Sequence, residues 1–369
     1  MAWVVVVAGC DRRVFQLDDD GITDDEVGEG ESSDTSLGDA DTSETETGGS
    51  INCTASVLEL TIDDTTDPAS VECVTKVHGD LVIGPTIELS DLAMLAELRE
   101  VGGTLSIVGN LGLTSLEGLE QVQSIGWLHV RRNGALVDLH GLDSLASVGR
   151  VSVINNDALI SLAGLPEGLG PDELDIAAND LLEDLDGLPV LTAPASGNPL
   201  DIEIEDHEAL VSVAGLAHCC SNQPVVVELA RNSALVDLDG LEPFERFDTL
   251  RLVDNRVLSD VAGIDATEIG TFEVSFNHCS SEAAPLLGDF VGLEQLLSVD
   301  VMLIEWGSAL TSLAGLDSMV DVTKLEIRNN PMLEWQQVVD LVGQTGPTLF
   351  DGCGGIGGPE CPTETCPTY

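Results

Sequence analysis

The sequence predicts an all-β chain, a parallel β-helix or solenoid of about 10–11 coils, and three observations carry that reading. A Gly-Leu step recurs at Gly118, Gly141, Gly164 and Gly187, each 23 residues after the last, and continues with looser spacing at Gly215, Gly240, Gly263 (where Ile264 takes the place of Leu) and Gly315. The interval from Gly263 to Gly315 is 52 residues, room for two coils of which one is degenerate. Asn110, Asn133, Asn156 and Asn179 keep the same 23-residue step, as do Asn232 and Asn255. Apolar residues alternate before each Asn, as in Leu128-His129-Val130, and then recur every three residues through Leu136, Leu139, Leu142, Leu145 and Val148. Alternation marks a half-buried strand. A spacing of three suits extended segments or 3-10 turns and leaves no room for a long helix in a unit. With aromatics at only 3% and hydrophobic residues at 43%, the core is built from Leu, Val, Ile and Ala in thin stacked layers.

Residues 1–10, "MAWVVVVAGC", are too short to span a bilayer and lack a basic flank. Their last four, "VAGC", resemble a bacterial lipobox, which makes Cys10 a lipidation site and residues 1–10 a partial lipoprotein signal whose upstream part is missing. Residues 11–50 are an acidic linker. No Lys or Arg occurs between Val14 and Thr75, and a stretch of Asp, Glu, Ser, Thr and Gly buries too little to offset its ordering entropy. Residues 51–347 form the β-helix, and residues 348–369 a Cys/Gly/Pro-rich tail.

Of the nine Cys, removing Cys10 leaves an even set, which favours disulfides outside the cytosol. Cys53 and Cys73 flank the start of the folded part and are the pair expected first. Cys353, Cys361 and Cys366 are spaced by 8 and 5 residues with no His beside them, so a disulfide-closed tail is favoured over zinc. Cys219 and Cys220 are adjacent, and their pairing is open.

The repeated Asn is read as architecture. Equivalent amides on successive coils stack about 4.8 Å apart, close enough to bond turn backbone groups and each other, and Asn tolerates left-handed corners. "DLDGL" at residues 184–188 and 237–241 begins like a calcium loop, yet in register it is a variant of "SLAGL" at 161–165 and 312–316. No metal site or cofactor is assigned, and weak Ca2+ binding at stacked carboxylates is left open. His78, His129, His140, His207, His218 and His278 form no dyad. Two irregular stretches, residues 191–200 and 280–297, leave open whether the helix runs on or breaks into two lobes. Residues 334–346 place Trp335, Val338, Val339 and Val342 at helical spacing, as a short helix covering the last coil.

The framework "VHGDLVI" (77–83) and "VGGTLSIVGNLGLTSLEGLEQVQSIG" (101–126) resembles the receptor L-domain, a leucine-rich-repeat-like right-handed β-helix found in receptor ectodomains and bacterial surface lipoproteins. The resemblance covers residues 51–347, and the pair Cys53 and Cys73 looks like that family's N-terminal cap. In ordinary leucine-rich repeats a Leu follows the Asn by two residues. Here Leu136 follows Asn133 by three, which favours the straighter β-helix over a horseshoe. The family implies a surface that binds proteins, with no transferable contact residue.

Asp+Glu 66 against Lys+Arg 13 gives a formal net charge of -53, which excludes nucleic acid and anionic lipid headgroups as ligands. The alternation predicts an outward column through Ser106, His129, Ser152, Asp175, Glu203, Glu228, Arg251, Glu273, Leu303 and Glu326, with a second through Arg131, Glu205, Ser275, Glu305 and Arg328. Asp175, Glu203, Glu205, Glu228 and Glu273 are the candidate ligand-binding residues. No Ser-His-Asp arrangement, phosphate loop or metal spacing stands out, so no catalytic residue is assigned. The expected function is a noncatalytic recognition or adhesion module, lipid-anchored in the bacterial cell envelope, at the outer membrane or cell surface, that presents an acidic sheet to a protein or cationic ligand. The alternatives are a β-helix enzyme acting on polysaccharide and a structural envelope protein.

Overall fold

A computed structural model describes residues 55–218, 223–277 and 284–361. The lipobox with Cys10, the acidic linker, Cys53, Cys219, Cys220, His278, Cys279 and Cys366 lie outside the described residues. The strands are β1 (Ala55–Val57), β2 (Leu60–Ile62), β3 (Val74–Val77), β4 (Leu81–Ile83), β5 (Glu100–Val108), β6 (Ser124–Arg131) and β7 (Ser147–Ile154). They continue as β8 (Glu173–Ala177), β9 (Leu200–Glu205), β10 (Val225–Ala230), β11 (Arg246–Val253), β12 (Glu268–Ser275), β13 (Ser298–Glu305), β14 (Asp321–Arg328) and β15 (Leu349–Cys353).

All pair parallel in one sheet, in the order β1-β3-β5-β6-β7-β8-β9-β10-β11-β12-β13-β14-β15, with β4 also paired to β5 and β2 to β4. The fold is the expected parallel β-solenoid, with 13 strands along this path instead of 10–11 coils. The undercount has a cause: β1, β3 and β15 carry neither the Asn nor the Gly-Leu signature. The sheet does not break at the irregular stretches, since β8 pairs β9 and β12 pairs β13 in continuous register.

Alternation places one side-chain set of each strand inside. Leu128, Val151, Leu174, Ile202, Val227 and Leu250 lie in one inner file, and Val130, Val153, Ile176, Ile204, Leu229 and Leu252 in the next, all buried. The three-residue series Leu136, Leu139, Leu142, Leu145 and Val148 is buried as well and closes the core from the other sides. Each such Leu contributes about 2 kcal/mol by leaving water.

The corner after each strand is where the local sequence matters most. The residue before the ladder position takes a left-handed backbone: Arg132 (φ 56), Asn155 (φ 54), Ala178 (φ 51), Asp206 (φ 59), Arg231 (φ 56), Asp254 (φ 57), Trp306 (φ 63) and Asn329 (φ 55). The left-handed residue is thus not the ladder Asn itself, and although Asn155, Asp206, Asp254 and Asn329 tolerate that conformation, Arg132, Ala178, Arg231 and Trp306 have no intrinsic preference for it. The strain is about 1–2 kcal/mol per corner, and the following buried amide offsets it. Asn133, Asn156 and Asn179 are each 0% exposed. Asn133 N–H donates to Asn156 Oδ1 (3.1 Å) while Asn133 Nδ2 donates to Ile107 O (2.8 Å), and Asn156 N–H donates to Asn179 Oδ1 (3.0 Å) while Asn156 Nδ2 donates to Val130 O (3.1 Å). Each amide therefore ties together the coils before and after it.

His207 stands in this ladder, where the spacing, 28 residues from Asn179 and 25 to Asn232, hides it. Its Nδ1 accepts Asn179 N–H (3.3 Å), its Nε2 lies 3.1 Å from Ile176 O, and its own N–H donates to Asn232 Oδ1 (3.2 Å). Nδ1 also lies 3.1 Å from Asn179 O; the neutral tautomer protonated at Nε2 donates to Ile176 O and accepts Asn179 N–H at Nδ1, so Nδ1 replaces an amide oxygen and Nε2 an amide nitrogen. Burial lowers its pKa below 6.5, against the pull of the Asn179 and Ile176 carbonyls. The ladder is interrupted one coil after Asn255: Asn277 is exposed and its N–H turns back to Asp254 Oδ1 (3.2 Å). It resumes where Gly307 N–H donates to Asn330 Oδ1 (2.9 Å).

The Gly-Leu step marks a second close approach. At Gly141 φ is +123, and an added Cβ would lie 2.1 Å from Leu116 O of the coil before. Gly292 (φ +116) takes the same role and is the step missing between Gly263 and Gly315.

The last coil is covered by α1 (Trp335–Thr345), close to the expected helix. Val338 and Leu341 face the core, whereas Val339 is exposed. Trp335 packs on Phe350 of β15 with ring centroids 6.3 Å apart, and Cys353 and Cys361 form a disulfide, the closure expected of the tail. Because β15 pairs with β14, the solenoid runs past residue 347. Cys73 is disulfide-bonded, and the Cys53 half of the expected pair lies outside the described residues.

Two outcomes follow for the ladder. Asn156→Ala leaves Asn133 N–H without its acceptor and takes one donor from Val130 C=O in a dry corner, and should lower the unfolding free energy by about 2–4 kcal/mol in urea titration. His207 binds a proton more weakly folded than unfolded, so its contribution is full above pH 6.5 and is lost as pH falls through the lower folded value. His207→Asn should keep the fold and remove that part of the acid sensitivity in thermal melts.

Candidate functional site

The strand register builds the outward face. Ser106, His129, Ser152, Asp175, Glu203, Glu228, Arg251, Glu273, Leu303 and Glu326 pair strand to strand in that order. The second predicted column is also present, with Glu205 beside Ala177 and Ala230, and Arg328 beside Glu305. A third file, which the sequence reading passed over, pairs Glu173 with Asp201. Strands β8, β9 and β10 therefore bring Glu173, Asp175, Asp201, Glu203, Glu205 and Glu228 onto one patch.

These carboxylates are not equivalent. Glu228 and Glu273 belong to a bridge, with Arg251 Nη1 2.5 Å from Glu228 Oε2 and Arg251 Nε 2.9 Å from Glu273 Oε2. Glu273 sits beyond Arg251 and is part of that compensation, apart from the acidic patch. Glu205 is held by Arg231 Nη2 at 2.6 Å, and the same guanidinium takes Asp206. Asp175 Oδ2 accepts the Ser152 hydroxyl at 3.0 Å. Asp201 Oδ1 is buried without a hydrogen-bond partner among the described residues.

Glu203 is the centre of the repulsion. Burial and then Asp201, Glu205, Asp175 and Glu228 push its pKa up from 4.5 to about 7. Burial, only partly opposed by the Ser152 hydrogen bond, raises Asp175 from 3.8 to about 6, with Glu173 and Glu205 adding to the rise. Burial also raises Asp201 and Glu228, the latter against the attraction of Arg251. Like charges on directly paired strand positions are unfavourable, and partial desolvation makes them more so.

The "DLDGL" carboxylates are turn caps. Asp184 Oδ1 accepts Asp186 N–H (2.8 Å) and Asp237 Oδ1 accepts Asp239 N–H (3.2 Å), while Ser161 Oγ accepts Ala163 N–H (3.1 Å) and Ser312 Oγ accepts Ala314 N–H (3.0 Å). Asp and Ser alternate because the turn needs one acceptor, which either supplies. Among the described residues, no group of three or more His, Cys, Asp or Glu is arranged to hold a metal ion, and no helix is long and apolar enough to cross a membrane. His140 lies 3.2 Å from Asp138, and His129 stacks on Trp127.

No protein-family model matches the chain, and neither a curated protein nor a solved structure matches it.

The carboxyl pKa values give a pH dependence opposite to that of His207. Glu203 holds its proton more tightly folded than unfolded, so its stabilising contribution is full below pH 4.5 and is lost as pH rises through about 7. Glu203→Gln should raise the melting temperature at pH 8 by about 2 °C or more and flatten the slope between pH 5 and 8. An unchanged melting curve at pH 8 would show that solvent already screens the patch.

Proposed function

We propose that this chain is a noncatalytic recognition or adhesion module, a solenoid whose β8–β10 face takes a cationic group of a protein partner. The observation that carries the proposal is Glu203, flanked by Asp175 and Glu228 on the adjacent strands with a pKa raised to about 7. A face that holds carboxylates at such a cost to stability is relieved when a Lys or Arg from outside neutralises it, so binding gains what folding loses. A rigid sheet also presents these groups without an ordering cost, which favours affinity. The resemblance of the 77–83 and 101–126 segments to the receptor L-domain supports a protein partner.

The proposed location is the bacterial cell envelope, at the outer membrane or cell surface, with a lipid on Cys10 and the acidic segment as a stalk. The Cys353–Cys361 disulfide supports an oxidising compartment, and "VAGC" at residues 7–10 supports the lipid anchor.

A decalysine peptide titrated at about 0.15 M salt tests the face against the general field of the chain. At pH 8, where Asp175 and Glu203 are both largely ionised, Asp175→Asn with Glu203→Gln should weaken its binding about tenfold, while Asp18→Asn with Asp19→Asn, which removes nearly the same charge from the linker, leaves it nearly unchanged. Equal losses in the two variants would reduce the face to ordinary surface charge.

A further inference from the structure

The coil that breaks the ladder also opens a cavity. Phe276 follows β12 as Asp254 follows β11 and Trp306 follows β13, but its ring joins the apolar core and Asn277 turns out to solvent. Leu287 then lies ten residues after Asn277, whereas Leu258 and Leu310 lie three after Asn255 and Gly307, so this corner carries additional chain. Thr311 N–H still donates to Gly288 O (2.9 Å), which keeps the two coils in step beyond it. Outside the corner is a cavity of about 360 Å³, within the range of small-molecule sites. Phe276, Pro285, Trp306 and Pro331 line it as apolar groups and Asn277, Ser308 and Asn329 as polar ones, so three successive coils converge on a single space.

In a chain with aromatics at only 3%, two line this cavity. Trp306 takes φ 63, a conformation unfavourable for so bulky a side chain, and other corners fill that position with Arg, Ala, Asp or Asn. The coil geometry does not call for an indole there, whereas a ligand with an apolar face does. Charge narrows the ligand further. Among the described residues no Asp or Glu lines the cavity, so nothing there selects a cation. Its one cation, Arg256, is held by Asp254 Oδ1 (2.7 Å) and Asn277 O (2.7 Å), which neutralise it toward an anion. What the walls offer is a flat apolar group beside amides and a hydroxyl that both donate and accept. A ring with C–H groups on its faces and hydroxyls around its edge matches both. We propose that this cavity binds a neutral saccharide, with a pyranose ring lying on Trp306 and its hydroxyls exchanging hydrogen bonds with Asn277, Ser308 and Asn329. The site stands apart from the β8–β10 carboxylates and does not depend on their function.

The Trp306 indole N–H signal in the NMR spectrum of the full chain, assigned by its loss in Trp306→Phe, reports a ring seated on that wall. The probes are the methyl glycosides of glucose, galactose, mannose and N-acetylglucosamine, with benzoate and benzylamine as charged rings without the hydroxyls. The expected result is a saturable shift with at least one glycoside and none with either charged ring. Maltose and lactose then separate the sources: tighter binding than the glycoside assigns the site to glycan chains, equal binding to single sugars. Ser308→Phe, at an exposed position on the cavity, fills it and should weaken binding by about tenfold or more in calorimetry, whether or not Trp306→Phe folds, while Glu203→Gln should leave it unchanged. No saturable shift with any of the four glycosides, an equal shift with benzoate or benzylamine, or affinity unchanged by Ser308→Phe would overturn the proposal.

Discussion

Every regular coil turns its corner through a left-handed residue, and the buried amide that follows holds that corner in place. The two features depend on each other. A left-handed Arg132, Ala178 or Arg231 is strained by itself, and a buried Asn without partners is costly by itself. Together they close a file of hydrogen bonds in which each side chain takes one N–H from the preceding coil and gives one N–H to a strand carbonyl. The file fixes the rotational register of each coil on the next. The aligned inner files of Leu, Ile and Val and the Gly-Leu close approaches follow from that alignment.

The same alignment governs the outer face. Once coils stack in register, residues at equivalent positions must face each other whether or not their charges agree. Arg251 between Glu228 and Glu273 shows the favourable outcome, and Asp175 beside Glu203 the unfavourable one. The ladder bonds, with the apolar burial that they align, outweigh a few repulsive contacts, so the interior sets the register and the surface carries the consequence. A solenoid can therefore display groups in an arrangement that their own interactions would never select, which gives its face the capacity to recognise another molecule. On this sheet the register gathers Asp175, Asp201, Glu203 and Glu228 on β8–β10.

Much of this was legible in the sequence because two periods, two residues along the strand and 23 along the coil, are enforced by packing. The outward columns and the Asn file were read at the residue level for that reason. His207 was hidden because an imidazole does not look like an amide, although its two ring nitrogens span the same acceptor and donor positions, and an insertion before β9 shifts its spacing. Gly292 was hidden by the irregular residues before it. Asp201 alternates visibly with Glu203 and Glu205 in "LDIEIE" and could have been found by extending the outward count one step. That Trp127 Nε1 and Arg131 Nε are buried without a hydrogen-bond partner among the described residues was beyond reach, since burial of a single nitrogen depends on neighbouring side chains that no linear pattern specifies. The break at Asn277 belongs to the same class, because the residue type is right and only the backbone path differs.

The most direct test of the ladder as the organising constraint is native-state amide hydrogen exchange, read at the ladder N–H groups. The N–H groups of Asn133, Asn156, Asn179, Asn232 and Gly307, which donate to ladder side chains, should exchange only through global or near-global unfolding. That of Asn277, where the file is interrupted, should exchange much faster. Ladder amides that exchange as fast as Asn277 would contradict the account and leave the apolar core alone as the source of the register.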